Sequence, residues 1–267
     1  MIKKELEIKF DVVMAVKKDR YRKPATGMLE FYIEKKGYTG NISDIKYIGD
    51  AAGRPRDHSC DDRKYAYNTG MRFETPEKYF LDHDDTTWDW NCGKPYFDPV
   101  DYINKTLTMP KIEHSSFEMV ILVASPASGK STFAKEYYPN YVYVNQDTLG
   151  TRKKCLKLTE ESLKNKKSVI IDNTNPSNVE RKEFIELANK YNAKVKIIEM
   201  LTDALLSKHL DAYRAKTTDK QMLPDVVFNV FKKRYVKPTT DECSEILTIP
   251  FIPKLTEDEK KIFLQLT

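Results

Sequence analysis

The run VILVASPASGKST at residues 120–132 limits what this chain can fold into more than any other stretch. Apolar residues at 119–123 read as a buried strand, and a helix-compatible segment at 132–138 follows the loop. A strand, a tight loop and a helix N-terminus in that order gather backbone N–H groups onto one point, where the helix dipole also favours negative charge. In this reading Ala124, Ser125, Pro126, Ala127, Ser128 and Gly129 form a phosphate cradle and Thr132 continues it into the helix. Lys130 would reach the β- and γ-phosphates of ATP, and the Ser131 hydroxyl would sit on Mg²⁺. Ala124 stands where the usual pattern has glycine; a small residue is still required there, because the backbone turns sharply beside the nucleotide. A chance Gly-Lys-Ser lacks the apolar strand before it and the helix after it, and this one has both.

With 267 residues the chain has room for two modest domains, each able to bury a core. No apolar run approaches membrane-spanning length and the N-terminus, MIKKELEIKF, has no signal-peptide core, so the expected setting is intracellular, with no membrane partner. Cys60, Cys92, Cys155 and Cys243 form no CxxC pair, which argues for a reducing compartment and against a structural zinc site. The net charge of +5 suits a polyanionic partner but is small for a chain that is 32% charged.

Beyond the loop the pattern alternates strand and helix. The β-rich run at 141–144 delivers Asp147, one helix and one strand after Lys130, which in a doubly wound parallel sheet puts both at the same carboxyl edge. A carboxylate there can take a proton from an attacking hydroxyl; it can equally cap a helix over 151–166, as Thr148 could. A strand at 168–171 ends in Asp172-Asn173-Thr174-Asn175, where Asp172 can hold Mg²⁺ through water or orient an acceptor; a plain Asx-rich turn is the bland alternative. Ser177 suits an N-cap for a helix over 178–191 with Val179, Phe184, Leu187 and Ala188 on one face. A strand at 193–200 and a helix at 205–214 follow, then a basic hairpin, 214–220, carrying Arg214 as a lid contact to phosphate. A helix at 226–235, a strand at 246–249 that completes the sheet, and an amphipathic turn at 256–266 close the chain.

The N-terminal third reads as a strand at 8–16, a basic turn, a helix at 25–36 closed by Gly37 and a strand at 45–48. That last strand pushes Asp50 into a glycine-bearing loop continuing through Arg63, a common way to build an acid site on an α/β sheet. A strand near 65–68 and a helix from Pro76 follow, and the proline-rich stretch 91–116, with one short helix near 100–106, reads as a linker.

The ordered set Arg22-Lys23-Pro24, GDAAGRP (49–55), SCDDR (59–63) and Thr75-Pro76-Glu77 resembles the later half of the phosphatase domain of the polynucleotide kinase 3′-phosphatases, a haloacid-dehalogenase-type domain. The resemblance implies that Lys23 neutralises a phosphoaspartate and that Asp50 and Asp62 hold Mg²⁺. That family's chemistry begins at an upstream DxDxT motif. Only 22 residues precede Lys23, and Asp11-Val12-Val13 has the wrong residue at the second aspartate position, so a truncated domain without 3′-phosphatase activity is expected. Asp82-His83-Asp84-Asp85-Thr86 matches DxDxT letter for letter, but stands after Asp50 and behind only three apolar residues, and reads as a surface loop.

From 120 to 253 the chain is similar to the kinase domain of the same family, through VNQDTLG, IDNTNP, Arg214 and EILTIPF. That resemblance implies Lys130 and Ser131 as ATP and Mg²⁺ residues, Asp147 as general base and Arg214 as lid contact; Arg181 matches a basic position of undefined role. The chain departs from the family at Ala124, at Gln146 and Ala212 where arginines are usual, and in lacking the forkhead-associated domain for scaffold docking. Two missing cations should slow transfer about tenfold or more each.

The expected whole is a truncated haloacid-dehalogenase-like α/β domain (1–97), a linker (98–116) and a P-loop kinase domain with a doubly wound parallel sheet (117–267). Its expected activity is ATP- and Mg²⁺-dependent phosphorylation of 5′-hydroxyl ends, DNA before RNA, by a monomer acting in DNA end processing and strand-break repair, in the nucleus by resemblance. The alternatives are a small-molecule kinase of the P-loop class, a strand-end binding module without activity, and a bifunctional enzyme whose missing piece lies on another chain.

Overall fold

The computed structural model describes residues 10–84, 87–218, 220–243 and 245–267. They form two compact units. One takes the chain up to Tyr102 with 212–222 and 255–267, the other 103–211 with 223–254.

The second unit is built on a five-stranded, fully parallel sheet: β3 (Glu118–Val123), β4 (Val142–Val144), β5 (Val169–Ile171), β6 (Lys194–Leu201) and β7 (Glu245–Pro250). The spatial order is β4-β5-β3-β6-β7. The chain leaves β3, passes over β5 to reach the edge at β4, returns to β5 and then crosses β3 to β6. The order therefore reverses beside β3, and the crevice at its carboxyl end is the natural ligand position. β3 is buried throughout, as a central parallel strand must be. Its period-two alternation feeds two cores: Met119, Ile121 and Val123 pack with Leu163 and Phe184, while Val120 and Leu122 pack with Phe133 and Tyr138.

Caps mark the flanking helices. Thr151 accepts from the Lys154 N–H at the start of Arg152–Lys164, and Ser177 with Glu180 forms a reciprocal capping box for Asn178–Lys190. On that second helix the buried face carries Arg181, Phe184, Ile185 and Ala188. Val179, expected on it, is 69% exposed.

In the first unit β1 (Lys46–Ile48) and β2 (Arg72–Glu74) pair in parallel. The helix Gly27–Lys36 ends, as expected, at a left-handed Gly37, φ 63°. Tyr65, Ala66 and Met71 form a small core with Leu29, Ile42, Ile45, Tyr47 and Phe73. The C-terminal segment belongs here: Leu266 exchanges hydrogen bonds with the Asn68 side chain at 2.8 and 2.9 Å, and Lys64 Nζ donates to the Thr267 carbonyl at 2.8 Å. The sequence reading had assigned this segment, with 212–222, to the second domain.

Three local expectations are corrected. Residues 10–16 form no strand, with Val12, Met14 and Val16 exposed; residues 8 and 9 lie outside the described set. The strand expected near 65–68 is part of the helix Asp61–Thr69, which opens on two aspartates and closes on a left-handed Gly70, φ 79°. Strand is instead found at Arg72–Glu74. The basic hairpin is helical over 214–217: the helix Ala204–Thr217 carries Arg214 and Lys216 in its last turn, whereas Thr218 and Lys220 lie beyond it, and Asp219 lies outside the described residues. Asp82 is the left-handed C-cap of the helix Pro76–Leu81, φ 53°, with its carboxylate 2.8 Å from Lys78 Nζ. A motif that begins at a helix end lacks the strand tip a DxDxT nucleophile needs; Asp85 and Thr86 lie outside the described residues.

Lys216 Nζ is buried with no hydrogen-bond partner among the described residues. Burial pushes this amine down to about 8, against the pull of the Glu30 carboxylate. Below that pH the fold holds a buried cation, and between pH 8 and 10.5 the unfolded chain carries the proton that the folded chain has shed, so this lysine makes stability rise with pH across that window. Lys216→Met should raise stability at pH 7 by on the order of 2 kcal/mol and lose that advantage above pH 10.5, read from urea melts of both proteins. Equal stability of the two proteins at pH 7 would contradict the assignment.

Candidate active site

β3 runs directly into the loop of Ala124, Ser125, Pro126, Ala127, Ser128 and Gly129, and the helix Lys130–Tyr137 starts on Gly129. Ala127 (φ 58°) and Gly129 (φ 87°) take left-handed backbone conformations that wrap the loop around the helix N-terminus. At Gly129 a Cβ would only touch the Phe251 ring, 3.4 Å away, so the backbone conformation is what calls for glycine there. Ala124 is buried, and its N–H reaches the Thr174 carbonyl at 3.3 Å, which ties the start of the loop to the turn after β5.

Lys130 Nζ folds over this loop and donates to Ser125 O at 2.7 Å, Ala124 O at 3.3 Å and Ser128 Oγ at 3.3 Å. An ammonium has three protons, so the loop holds the amine at its own centre. Burial pushes the Lys130 amine down to about 8, and the Asp172 and then the Asp147 carboxylate pull it back up. The parallel pairing of β4 with β5 and of β5 with β3 sets the carboxyl ends of all three strands on one rim.

Asp172 follows β5. Its Oδ2 accepts from Ser131 Oγ at 2.5 Å, from Asn145 Nδ2 at 3.2 Å and, in a short hydrogen bond, from the Tyr143 hydroxyl. Its Oδ1 is buried and accepts no hydrogen bond among the described residues. A buried, unpaired carboxylate oxygen beside a serine hydroxyl is a donor set that fits a hard divalent cation such as Mg²⁺, which takes few protein ligands and prefers oxygen. Residues Ser131 and Asp172 would hold it.

Asp147 is exposed, in the single-turn helix Gln146–Leu149. That turn is anchored without it: Asn145 Oδ1 caps the Thr148 N–H at 3.1 Å, and the Gln146 N–H donates to Asn173 Oδ1 at 2.8 Å. Neither Asp147 nor Thr148 caps the following helix, because Thr151 does. The carboxylate is thus left facing solvent at the rim with no structural task.

Tyr143 and Asn145 were not singled out from sequence. They stand two apart on β4 and its exit, so one face of the strand aims both at Asp172. Burial first, then the hydrogen bond to Asp172, pushes the Tyr143 phenol up to about 12. Arg181 was noted without a role; it is 0% exposed and grips Glu242 through two 2.7 Å bonds. It also donates to the Asn175, Pro176 and Val236 carbonyls. Arg214 lies in the segment 212–222 of the first unit, while every residue of this rim belongs to the second.

In the first unit the expected acid site is partly assembled. Lys23 Nζ makes a short ion pair with Asp62 Oδ1 and bonds the Tyr47 hydroxyl at 2.9 Å, and the Ala51 N–H holds Asp62 Oδ2 at 3.0 Å. Burial opposes the charge on Lys23, but hydrogen bonds to Asp62 and Tyr47 outweigh it and hold the amine protonated well above its ordinary range. Asp62 sits in the first turn of the helix Asp61–Thr69, not in the loop where the sequence had it. A Cβ at Gly49 would lie 2.5 Å from its carboxylate, so glycine lets the strand end approach it. Asp50 is exposed at the end of β1.

A parallel sheet in β4-β5-β3-β6-β7 order, with a Gly-Lys-Ser loop at its switch point, defines a P-loop, kinase-like phosphotransferase fold that binds nucleotide. Residues 1–80 match the family described as polynucleotide kinase 3 phosphatase, and residues 149–238 match an AAA domain family. The chain is 37% identical over 254 residues to the bifunctional polynucleotide phosphatase/kinase of Schizosaccharomyces pombe, covering 92% of this chain and 61% of that protein. It is 33% identical over 287 residues to the putative bifunctional polynucleotide phosphatase/kinase of Acanthamoeba polyphaga mimivirus, covering 94% of this chain and 68% of that one. Over 71 residues it is 42% identical to the polynucleotide 3′-phosphatase of Saccharomyces cerevisiae, covering 23% of this chain and 30% of that protein. The chain belongs to the polynucleotide kinase 3′-phosphatase family, and spans about two thirds of the length of the two bifunctional relatives.

Proposed function

We propose that this chain phosphorylates the 5′-hydroxyl ends of polynucleotides, DNA before RNA, at the expense of ATP. The observation that carries the reading is the shared rim: β3, β4 and β5 are parallel neighbours, and Lys130, the exposed Asp147 and Asp172 with its open oxygen all follow the carboxyl ends of those strands. The loop N–H groups and Lys130 bind and orient the terminal phosphates. Ser131 and Asp172 would hold Mg²⁺, which when bound would supply charge neutralisation at the transferring group. Asp147 accepts the proton of the attacking hydroxyl. The polynucleotide substrate is supported by the names of the relatives matched across both units.

The first unit, in this reading, does not remove 3′-phosphates. Lys23, Asp50 and Asp62 supply a counter-cation and metal carboxylates, but none of them is the attacking aspartate such chemistry starts with. Incubating the protein with γ-labelled ATP and a duplex carrying a 5′-hydroxyl and a 3′-phosphate tests both halves. The expected result is 5′ label gained and 3′-phosphate retained. Salt-dependent binding of ends without ADP release would instead favour a strand-end binding module.

A further inference from the structure

Three side-chain donors converge on one oxygen of Asp172 and leave the other bare. Ser131 comes from the helix after the loop, and Tyr143 and Asn145 from β4 and its exit. Asn145 also ties the Asp172 backbone carbonyl at 2.6 Å, and the Asp172 N–H reaches Val144 O at 2.8 Å, so the main chain at this point is already fixed by β4. What remains free is rotation of the carboxylate about its own axis, which would exchange Oδ1 for Oδ2. A carboxylate that turns freely presents either oxygen; one whose Oδ2 is saturated by three donors presents only Oδ1.

We propose that Tyr143 is a positioning residue for the metal: its hydroxyl, together with Ser131, locks the Asp172 carboxylate so that Oδ1 alone faces the cation. The proposal rests on the reading of Ser131 and Asp172 as the metal-holding residues. The geometry fits that division of labour. Ser131 donates its single proton to Oδ2, which leaves the lone pairs of its oxygen for the cation, so it cannot both ligate the metal and hold Asp172 from a second direction. Tyr143 supplies that second direction from a different strand, and its partly buried ring fixes where the hydroxyl sits. Outer partners of metal ligands act in this way, orienting the ligand and raising its affinity for the ion without touching it.

Tyr143→Phe removes the hydroxyl and keeps the ring. Mn²⁺ binding to the protein–ADP complex, followed by the electron paramagnetic resonance signal of free Mn²⁺, should weaken by about 10–100-fold. ADP affinity measured in excess chelator should be unchanged, with the loss confined to metal binding. Asp172→Asn serves as the reference. Weak Mn²⁺ binding in Asp172→Asn with parental binding in Tyr143→Phe overturns the positioning role and leaves the metal reading standing. Parental binding in Asp172→Asn overturns the metal reading itself. A loss of metal-free ADP affinity in Tyr143→Phe, equal to its loss of metal affinity, would make the hydroxyl part of the nucleotide cradle and also overturn the proposal.

Discussion

Asp147→Asn is expected to lower phosphoryl transfer to a 5′-hydroxyl oligonucleotide by about 10²–10⁴-fold while leaving ATP binding at its parental affinity. Asparagine keeps the size and hydrogen-bonding edge of the side chain and removes its capacity to accept a proton, so the change isolates that one task. The fold gives no reason for collateral damage. Asp147 is exposed, the single turn that carries it is held by the Asn145 side chain and the Gln146 N–H, and the next helix is capped by Thr151. An exposed substitution of this kind changes stability by about 0.5 kcal/mol or less. The phosphate-binding groups, Lys130 and the loop N–H donors, are untouched. The check is a single-turnover assay with γ-labelled ATP beside an equilibrium titration of nucleotide. A parental transfer rate would remove Asp147 from its role as base, and a parallel loss of ATP affinity would make it part of the nucleotide cradle instead.

Most of this site is legible in the sequence because each part sits at the end of a short β-rich run. Strand tips in a parallel sheet share an edge, so Lys130, Asp147 and Asp172 could be gathered from chain order alone. By pattern Asp147 can equally cap a helix, and a residue four positions on, Thr151, closes that alternative. Tyr143 was not legible. Its neighbours Val142 and Val144 mark a strand whatever stands between them, and the direction of its hydroxyl depends on β4 lying beside β5, a pairing between segments 27 residues apart. Asn145 looked like turn chemistry for the same reason.

The failures in the fold have physical causes of the same kind. Tyr65-Ala66-Tyr67-Asn68 has strand propensity, but two aspartates before it and Gly70 after it provide helix ends, and packing of Tyr65 and Ala66 against Tyr47 and Phe73 settles the competition. Arg214 stands in a helix that runs on to Thr217, because Ala-Lys-Thr continues a helix as readily as it ends one. Residues 255–267 carry nothing that names their partner. A short amphipathic helix fits any apolar neighbour, and its place is set by specific bonds from Lys64 and Asn68 across nearly 200 residues.

Arg181 shows the largest distance between what a helical pattern suggests and what the fold does, and it carries the largest expected effect on stability. Reading Val179 as core places Arg181 on the polar side, yet the arginine is fully buried and the valine faces water. Its guanidinium binds Glu242 bidentately, with the carboxylate 13% exposed, and its remaining protons hold the Asn175, Pro176 and Val236 carbonyls. Arg181→Met should therefore cost about 3–5 kcal/mol in a urea melt, because it strands a mostly buried carboxylate and takes the donor from the Asn175 and Val236 carbonyls, while the Pro176 carbonyl keeps the Val236 N–H. The effect should reach the nucleotide loop. Asn175 Nδ2 holds the Leu122 carbonyl at 2.8 Å and the adjacent Thr174 carbonyl takes the Ala124 N–H, so loosening this turn loosens the start of the cradle. ATP affinity should fall alongside stability, whereas in Asp147→Asn it should not. A second substitution separates charge from packing. Arg181→Met combined with Glu242→Leu removes the stranded carboxylate, and apolar replacement of a buried pair is commonly near neutral, so the double variant should regain most of the lost stability. It should not regain the ATP affinity, since the buried Asn175 carbonyl stays without the donor that Arg181 supplied. A double variant no more stable than Arg181→Met would show that the guanidinium acts through its carbonyl partners and not through its ion pair.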